Sequence, residues 1–278
     1  MLNHKKACGI LTSGVHPILA NPRQFLLEPF SISAITTGMK IVRATLWIYG
    51  TAWQQSWQCV GKNWVVSFAP LAYGIVMSLA GLLAMQLGFL GGFLLAIASQ
   101  ACVSSGLHLI KNMISSGKAN LNDFLNGFIV YLWDLLTVAF ILWIPLRFAA
   151  VALASVPNGW LIYLLIQVTL YIILNPVPEL IYQTRTSGLE LLSASYNFIV
   201  ENWLEWLLPN VIITVAGVFL LRVLDGLVYM LPGFVQFFAV AFGFGLFLTY
   251  LMTFRGFLFA ELHGTTRRSR LYRYDANR

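Results

Sequence analysis

The most restrictive feature of the sequence is a set of six long apolar segments, at approximately residues 64–83, 87–110, 126–154, 158–176, 207–229 and 233–257. A hydrocarbon core of about 30 Å needs roughly 20 apolar residues per helix, so each segment is about long enough to cross a bilayer. Helices are expected because backbone groups cannot face lipid unpaired, and the segments lack the alternation of a membrane barrel. Only 10% of the residues are charged. The sequence therefore predicts an all-α, polytopic membrane protein.

The 17 Lys and Arg residues are distributed unevenly between the ends of these segments. Six precede the first segment, Lys111 and Lys118 end the second, and five arginines follow the sixth, whereas the turns at 85–88, 155–158 and 230–233 are uncharged. Cytoplasmic loops are enriched in Lys and Arg. The pattern predicts three helical hairpins entered from the cytoplasm, with both termini cytoplasmic, in a bacterial cytoplasmic membrane.

An internal similarity at an offset of 139 residues indicates that the first hairpin is duplicated as the third. Four residues recur there without insertion, namely Ser56, Asn63, Trp64 and Pro70 as Ser195, Asn202, Trp203 and Pro209. A second group also matches, from Gly106 and Gly117 to Gly245 and Gly256. Shared apolar composition is the alternative explanation.

The duplication and the charge pattern together predict a domain organisation. A membrane domain at 30–258 contains repeat 1 at about 52–117, a middle hairpin at about 126–176 and repeat 2 at about 191–256. Basic cytoplasmic segments, 1–29 and 259–278, flank it.

An amphipathic segment precedes each repeated hairpin. Apolar residues recur at steps of three and four from Ile32 to Val60, and again from Leu189 to Trp206. Both segments are expected to form interfacial helices that pair with each other, through Lys62 and Glu201, or face water or a partner subunit. Their candidate docking residues are Lys40, Arg43, Trp64, Glu201, Trp203 and Glu205.

Charged residues inside the apolar segments are functional candidates because inserting each costs a few kcal/mol. Arg222 and Asp225 are three residues apart and can neutralise each other, or Asp225 can bridge to Arg147. Asp134 can accept a hydrogen bond from a neighbouring helix, bind an ion or relay a proton. Further charges lie near the predicted cytoplasmic ends of the segments, namely Glu179, Arg255 and Glu261.

Glycines in two segments predict close helix packing, with a flexible gate as the functional alternative. Gly88 and Gly92, with Gly91 between them, form a small-xxx-small pair in the second segment. Gly243 and Gly245 have the same role in the sixth segment. The prolines at 176 and 178 should break the chain after the fourth segment and turn it towards the acidic interfacial helix.

Searches for chemistry give no active site. The sequence has no phosphate-binding glycine loop with lysine, no paired-histidine metal motif and no nucleophile elbow, and its three cysteines have no paired spacing. We therefore expect no enzyme activity, metal or cofactor. The basic tail, with Arg267, Arg268 and Arg270, is expected to contact anionic lipid headgroups rather than nucleic acid.

The layout resembles uncharacterised six-helix bacterial inner-membrane proteins and the membrane domain ahead of some glycerophosphodiester phosphodiesterases. The resemblance covers about residues 50–258 and depends on the two amphipathic segments that end in Asn63–Trp64 and Asn202–Trp203. No phosphodiesterase domain is recognisable in this sequence, so the resemblance implies no catalytic residue here.

These features favour a non-enzymatic membrane scaffold or an accessory subunit that associates with other membrane proteins or with itself. The main alternative is a transporter or channel for a small solute, ion or lipid, with a pathway between the repeated hairpins. An intramembrane enzyme acting on lipid is a third class.

Overall fold

The computed structural model of the chain describes residues 32–276, with side chains described from residue 39 onward. The predicted basic segment 1–29 lies outside the described residues. Contacts divide the chain into two units, 1–40 and 41–278, and the described part of the first is the beginning of one helix.

All regular structure in the described range is helical, as the sequence predicted. A 3₁₀ segment, Trp64–Phe68, follows α1. The α-helices are α1 (Ile32–Lys62), α2 (Ala69–Leu87), α3 (Phe89–Ser116), α4 (Leu121–Val130), α5 (Leu132–Ala154), α6 (Gly159–Ile173), α7 (Val177–Thr184), α8 (Gly188–Val228), α9 (Gly233–Leu262) and α10 (Arg267–Ala276).

Six helical spans in the described range are long and apolar enough to cross a membrane, which confirms the predicted number and the membrane class. They are Trp64–Leu87, Phe89–Ser116, Leu121–Ala154, Gly159–Thr184, Gly188–Val228 and Gly233–Leu262. The fifth span, α8, begins nearly twenty residues before the predicted segment. Hydropathy falls there, but the amphipathic segment continues as helix into the span.

The helices are interrupted at positions where the backbone leaves the helical region. Tyr131 separates α4 from α5, and Asn202 lies at a kink inside α8 with φ −129° and ψ 17°. The predicted proline break is confirmed, because α6 ends at Ile173 and α7 begins at Val177. The chain does not turn directly into the acidic helix, however, since the short, mostly buried α7 comes first.

α1 presents two different faces over the residues whose side chains are described. The face packed against the rest of the chain carries mainly small residues, including Ala44, Ala52 and Ser56. Much of the predicted apolar stripe is exposed instead, with Leu46 and Trp57 more than half accessible, although Val60 at its end is buried. The amphipathic pattern thus identified a helix correctly, but most large side chains of the stripe lie at the surface, where Trp53 and Trp57 make edge-on ring contacts with Tyr250.

The core of the 41–278 unit lies at one end of the long helices. Trp206, Tyr182, Phe254 and Phe259 are almost completely buried there, where α7, α8 and α9 meet. At the opposite end, next to the uncharged turns, side chains are largely exposed, including Met85, Phe89 and Met230. Packing is therefore dense at the end that carries the basic residues.

The glycines have roles that differ between the two predicted pairs. A Cβ atom at Gly245 would collide with the carbonyl of Ser67, and one at Gly243 would meet Leu224, so both permit close packing. Gly92 has open space beside it and Gly88 has a positive φ of 53°, so the predicted Gly88–Gly92 packing pair is wrong. Gly91 is the residue in close contact in α3, against the Ala84 backbone across the turn.

We predict opposite effects for two glycine-to-alanine substitutions. Gly245→Ala should destabilise the protein by about 1–3 kcal/mol, because the added methyl meets backbone that cannot move aside easily. Gly92→Ala should be neutral or stabilising by up to about 1 kcal/mol, since alanine favours helix and no atom obstructs it. Thermal unfolding in mild detergent measures both. Equal melting temperatures would contradict the close approach at Gly245.

Candidate functional site

The most completely buried charge among the described residues is Glu179, which pairs with Arg255. Nε and Nη2 of Arg255 donate to the two carboxylate oxygens at 2.7 and 2.9 Å. The Glu179 side chain is 0% exposed and that of Arg255 is 13% exposed. This two-point geometry matches the planar guanidinium to the carboxylate and is the strong form of a salt bridge.

Two further groups complete the surroundings of Arg255. Its Nη2 also donates to the carbonyl of Asn175 at 2.6 Å, and its guanidinium lies over the ring of Trp206, 5.2 Å from the ring centroid. The indole nitrogen of Trp206 donates to Oδ1 of Asn175 at 2.8 Å. We call Asn175, Glu179, Trp206 and Arg255 the charge cluster.

The local sequence places each member of the charge cluster. The proline break ends α6 and leaves carbonyls such as that of Asn175 without helical partners. Glu179 lies in the first turn of α7, where the partial positive charge of a helix N-terminus stabilises a carboxylate. Trp206 comes from α8 and Arg255 from α9, so the cluster joins four elements, namely the break after α6, α7, α8 and α9.

A groove of about 430 Å³ leads to this cluster from the side of α5 and α6. Polar groups occupy one part of it, namely Gln167, Tyr171, Asn175 and Arg255. The remaining lining residues are Leu142, Leu146, Leu170, Leu174 and Pro178.

The four predicted intramembrane candidates are not brought together. Arg147 is exposed and lies over the ring of Trp143, at 5.4 Å from the centroid, and Arg222 is also exposed. Asp225 accepts a hydrogen bond from Gln236 at 3.3 Å, so the predicted Arg222–Asp225 and Arg147–Asp225 pairs are absent from the described residues.

Asp134 is the remaining intramembrane candidate. It is half-buried in the first turn of α5. In the described part of the chain it forms neither a hydrogen bond nor a salt bridge.

The predicted docking residues also separate into two groups. Lys40, Arg43, Trp64, Glu201 and Trp203 are exposed. Glu205 is buried and pairs with Arg267 at 2.9 Å, so it is not available to a partner. Across residues 39–276, no salt bridge joins Lys62 to Glu201, the proposed contact between the two amphipathic segments.

The prediction that Arg270 contacts lipid headgroups is wrong. Arg270 is 6% exposed, and its Nη2 donates to Oδ1 of Asn202 at 2.5 Å and to the carbonyls of Leu262 and Thr265. Burial lowers the pKa of the Arg270 guanidinium. Arg268 is exposed, and its contact with headgroups stays a prediction. The tail is a helix, α10, that is anchored to the end of α9 and to the kink of α8.

α1 is fixed to the same region through Tyr49. The Tyr49 hydroxyl donates to the carbonyl of Glu205 at 3.0 Å. Burial, followed by the nearby Glu205 charge, raises the pKa of Tyr49 to about 12, so the hydroxyl remains a donor at physiological pH. Trp47 adds an edge-on ring contact with Tyr274 of α10.

Sequence reasoning noted Glu179 and Arg255 as charges but did not pair them, and it missed Asn175 and Trp206 as cluster members. The sequence did contain a signal for the pair. Glu179 and Arg255 are single charges of opposite sign, and each lies among apolar residues near the predicted cytoplasmic end of an apolar segment. In the described part of the chain, no group of three His, Cys, Asp or Glu residues is placed to hold a metal ion.

Comparisons with protein-family models, with curated proteins and with solved structures find no match to this chain. The fold and the charge cluster therefore carry the functional argument.

We predict that Glu179→Gln lowers the free energy of unfolding by about 3–5 kcal/mol, because Arg255 would keep a buried charge without its partner. Glu190→Gln is the matched control, since Glu190 is exposed. The double variant Glu179→Leu with Arg255→Met should recover much of the loss by removing both charges. Melting temperatures in mild detergent report all three. A Glu179→Gln variant as stable as the control would show that the pair does not stabilise the fold.

We also predict that Asn202→Ala loosens α10. Hydrogen bonds to charged groups contribute about 1.5–3 kcal/mol. The fraction of molecules in which α10 is detached from α8 and α9 should therefore rise about tenfold or more. Limited trypsin digestion after the arginines of α10 measures this population. Asn197→Ala, on the exposed side of α8, should leave the cleavage rate unchanged. Equal rates for both variants would show that Asn202 does not hold the tail.

Proposed function

We propose that this chain is a non-enzymatic multi-pass membrane scaffold or accessory subunit of a larger membrane complex. The observation that carries the proposal is Asp134. Its side chain is half-buried in a membrane-length span, and no described residue donates a hydrogen bond to it or pairs with it. Ionisable groups in membranes normally face a protein partner or water. A helix of another subunit is the partner that we propose for this face.

The exposed residues around Asp134 support a protein contact there. Trp133 is 71% exposed, Ile129 is 69% exposed and Thr137 is also exposed. A largely apolar surface that includes a polar group without a partner is the kind of surface on which a neighbouring helix gains both packing and a hydrogen bond.

The alternative, a transporter or channel, has weaker support. A pathway between the repeated hairpins would place Asp134, Arg147, Arg222 and Asp225 along one route. Arg147 and Arg222 are exposed, and Asp225 bonds to Gln236. The buried pair Glu179–Arg255 is already neutral and closely bonded, as expected for a structural joint.

The finer architecture is part of the proposal: three hairpins, termini on the cytoplasmic side of a bacterial membrane, and a duplicated hairpin. Two matching features support duplication. Asn63 and Asn202 share nearly the same backbone angles, φ −122° and ψ 32° against φ −129° and ψ 17°. Each also accepts a hydrogen bond from the segment that follows its own hairpin, from Ala119 and Arg270 respectively.

We expect a photo-crosslinking residue at position 137 to capture one defined subunit in native membranes. The same residue at position 219, on an exposed part of α8, is the control. Purification in gentle detergent, followed by native mass determination, should then give a complex of fixed stoichiometry containing that subunit. Asp134→Leu should reduce its recovery.

A chain that purifies alone, or only with copies of itself and without a position-137 crosslink to another polypeptide, would contradict the accessory role. Liposome flux with Asp134→Asn as control would then test the transporter alternative.

A further inference from the structure

We propose that the groove between α5 and α6 binds one phospholipid, with its phosphodiester at the charge cluster and an acyl chain along the leucines. The polar residues of the groove each supply at least one hydrogen-bond donor. Nη1 of Arg255 makes no hydrogen bond to any described residue, and Arg255 lines the groove. The Glu179 carboxylate is fully buried behind the guanidinium and does not line the groove.

Asn175 presents a second donor to the same place. The indole nitrogen of Trp206 can only donate, so the Asn175 atom that it contacts is the carbonyl oxygen. The amide NH₂ of Asn175 is therefore left to the groove, where it has no described partner. Tyr171 and Gln167, on the last two turns of α6 before Asn175, add a hydroxyl and an amide. Phosphate oxygens are acceptors only, and they fit a set of donors.

The apolar part of the groove has the position that an acyl chain requires. α6 has 15 residues, so its end lies about 22 Å from the uncharged turn that precedes it. Leu146 and Leu142 lie 8 and 12 residues before the end of α5 at Ala154, about 12 and 18 Å from the same turn. Asn175 and Arg255 thus lie nearer the basic boundary of a hydrocarbon core of about 30 Å. Leu142 and Leu146 lie towards its middle, at the depths of Tyr171 and Gln167.

The depth argument uses the proposed hairpin topology but does not use the accessory role. Lipid retention is measured on the isolated chain, so either proposal can fail without the other.

The experiment uses native mass spectrometry of the full chain in mild detergent, titrated with phosphatidylglycerol or with diacylglycerol of the same acyl chains. We expect one phosphatidylglycerol per chain, retained about tenfold better than diacylglycerol, which lacks the phosphate. Leu146→Trp, which fills the groove, should reduce retention about tenfold. Leu165→Trp is the matched control on the exposed face of α6 and should have no effect.

The double variant Gln167→Leu with Tyr171→Phe removes two donors from exposed positions and should reduce retention of phosphatidylglycerol about fivefold, with no change for diacylglycerol. Equal retention of the two lipids, or an unchanged Leu146→Trp variant, would overturn the proposal. Displacement of the lipid by millimolar inorganic phosphate would also overturn it, because the site would then recognise free phosphate.

Discussion

The pairing of Glu179 with Arg255 is the interaction on which the rest of the structure most depends. Removing either charge from water costs several kcal/mol, and only a nearly complete set of partners offsets that cost. The two-point contact, the carbonyl of Asn175 and the face of Trp206 supply this set. Because these groups belong to four elements, the break after α6, the path of α8 and the register of α9 must all be consistent with one geometry.

Two more exposed salt bridges that the described residues form near the same end make a different contribution. The Arg267–Glu205 and Arg273–Glu261 pairs each have one side chain that is about half exposed, and such pairs contribute about 0–1 kcal/mol. The buried contacts of Arg270 therefore fix α10 more strongly than the more exposed arginines do. They bond one guanidinium to α8 and to the end of α9, with Asn202 at the kink as the acceptor. A tail anchored by a small set of contacts is a unit that can open locally while the bundle stays folded.

The sequence was sufficient for the fold class and for the number of spans, because hydropathy over about 20 residues is a local property. It was insufficient for the charge cluster, whose members Glu179 and Arg255 are 76 residues apart and meet only through packing of α7 on α9.

Arg270 was misassigned for a related reason. Within a run of arginines its charge pattern resembles a solvated tail, and only the position of Asn202 distinguishes it. The Gly88–Gly92 motif failed because glycine spacing does not reveal which face meets a neighbour.

The uneven packing of the bundle follows from the different surroundings of the apolar spans, which face lipid, and of the basic end, which is near water. Between membrane helices there is no hydrophobic driving force, so association depends on close contact, as at Gly217 against Phe247 and Gly245 against Ser67. Elsewhere in the spans, lipid can solvate the large apolar side chains, so they need no protein neighbour. At the basic end, water is near, and burial of Trp206 and Phe254 stabilises the fold by the ordinary hydrophobic effect. Such a molecule is densely packed at one end and has exposed helix faces along its spans, and these faces are the surfaces on which the proposed assembly with other subunits depends.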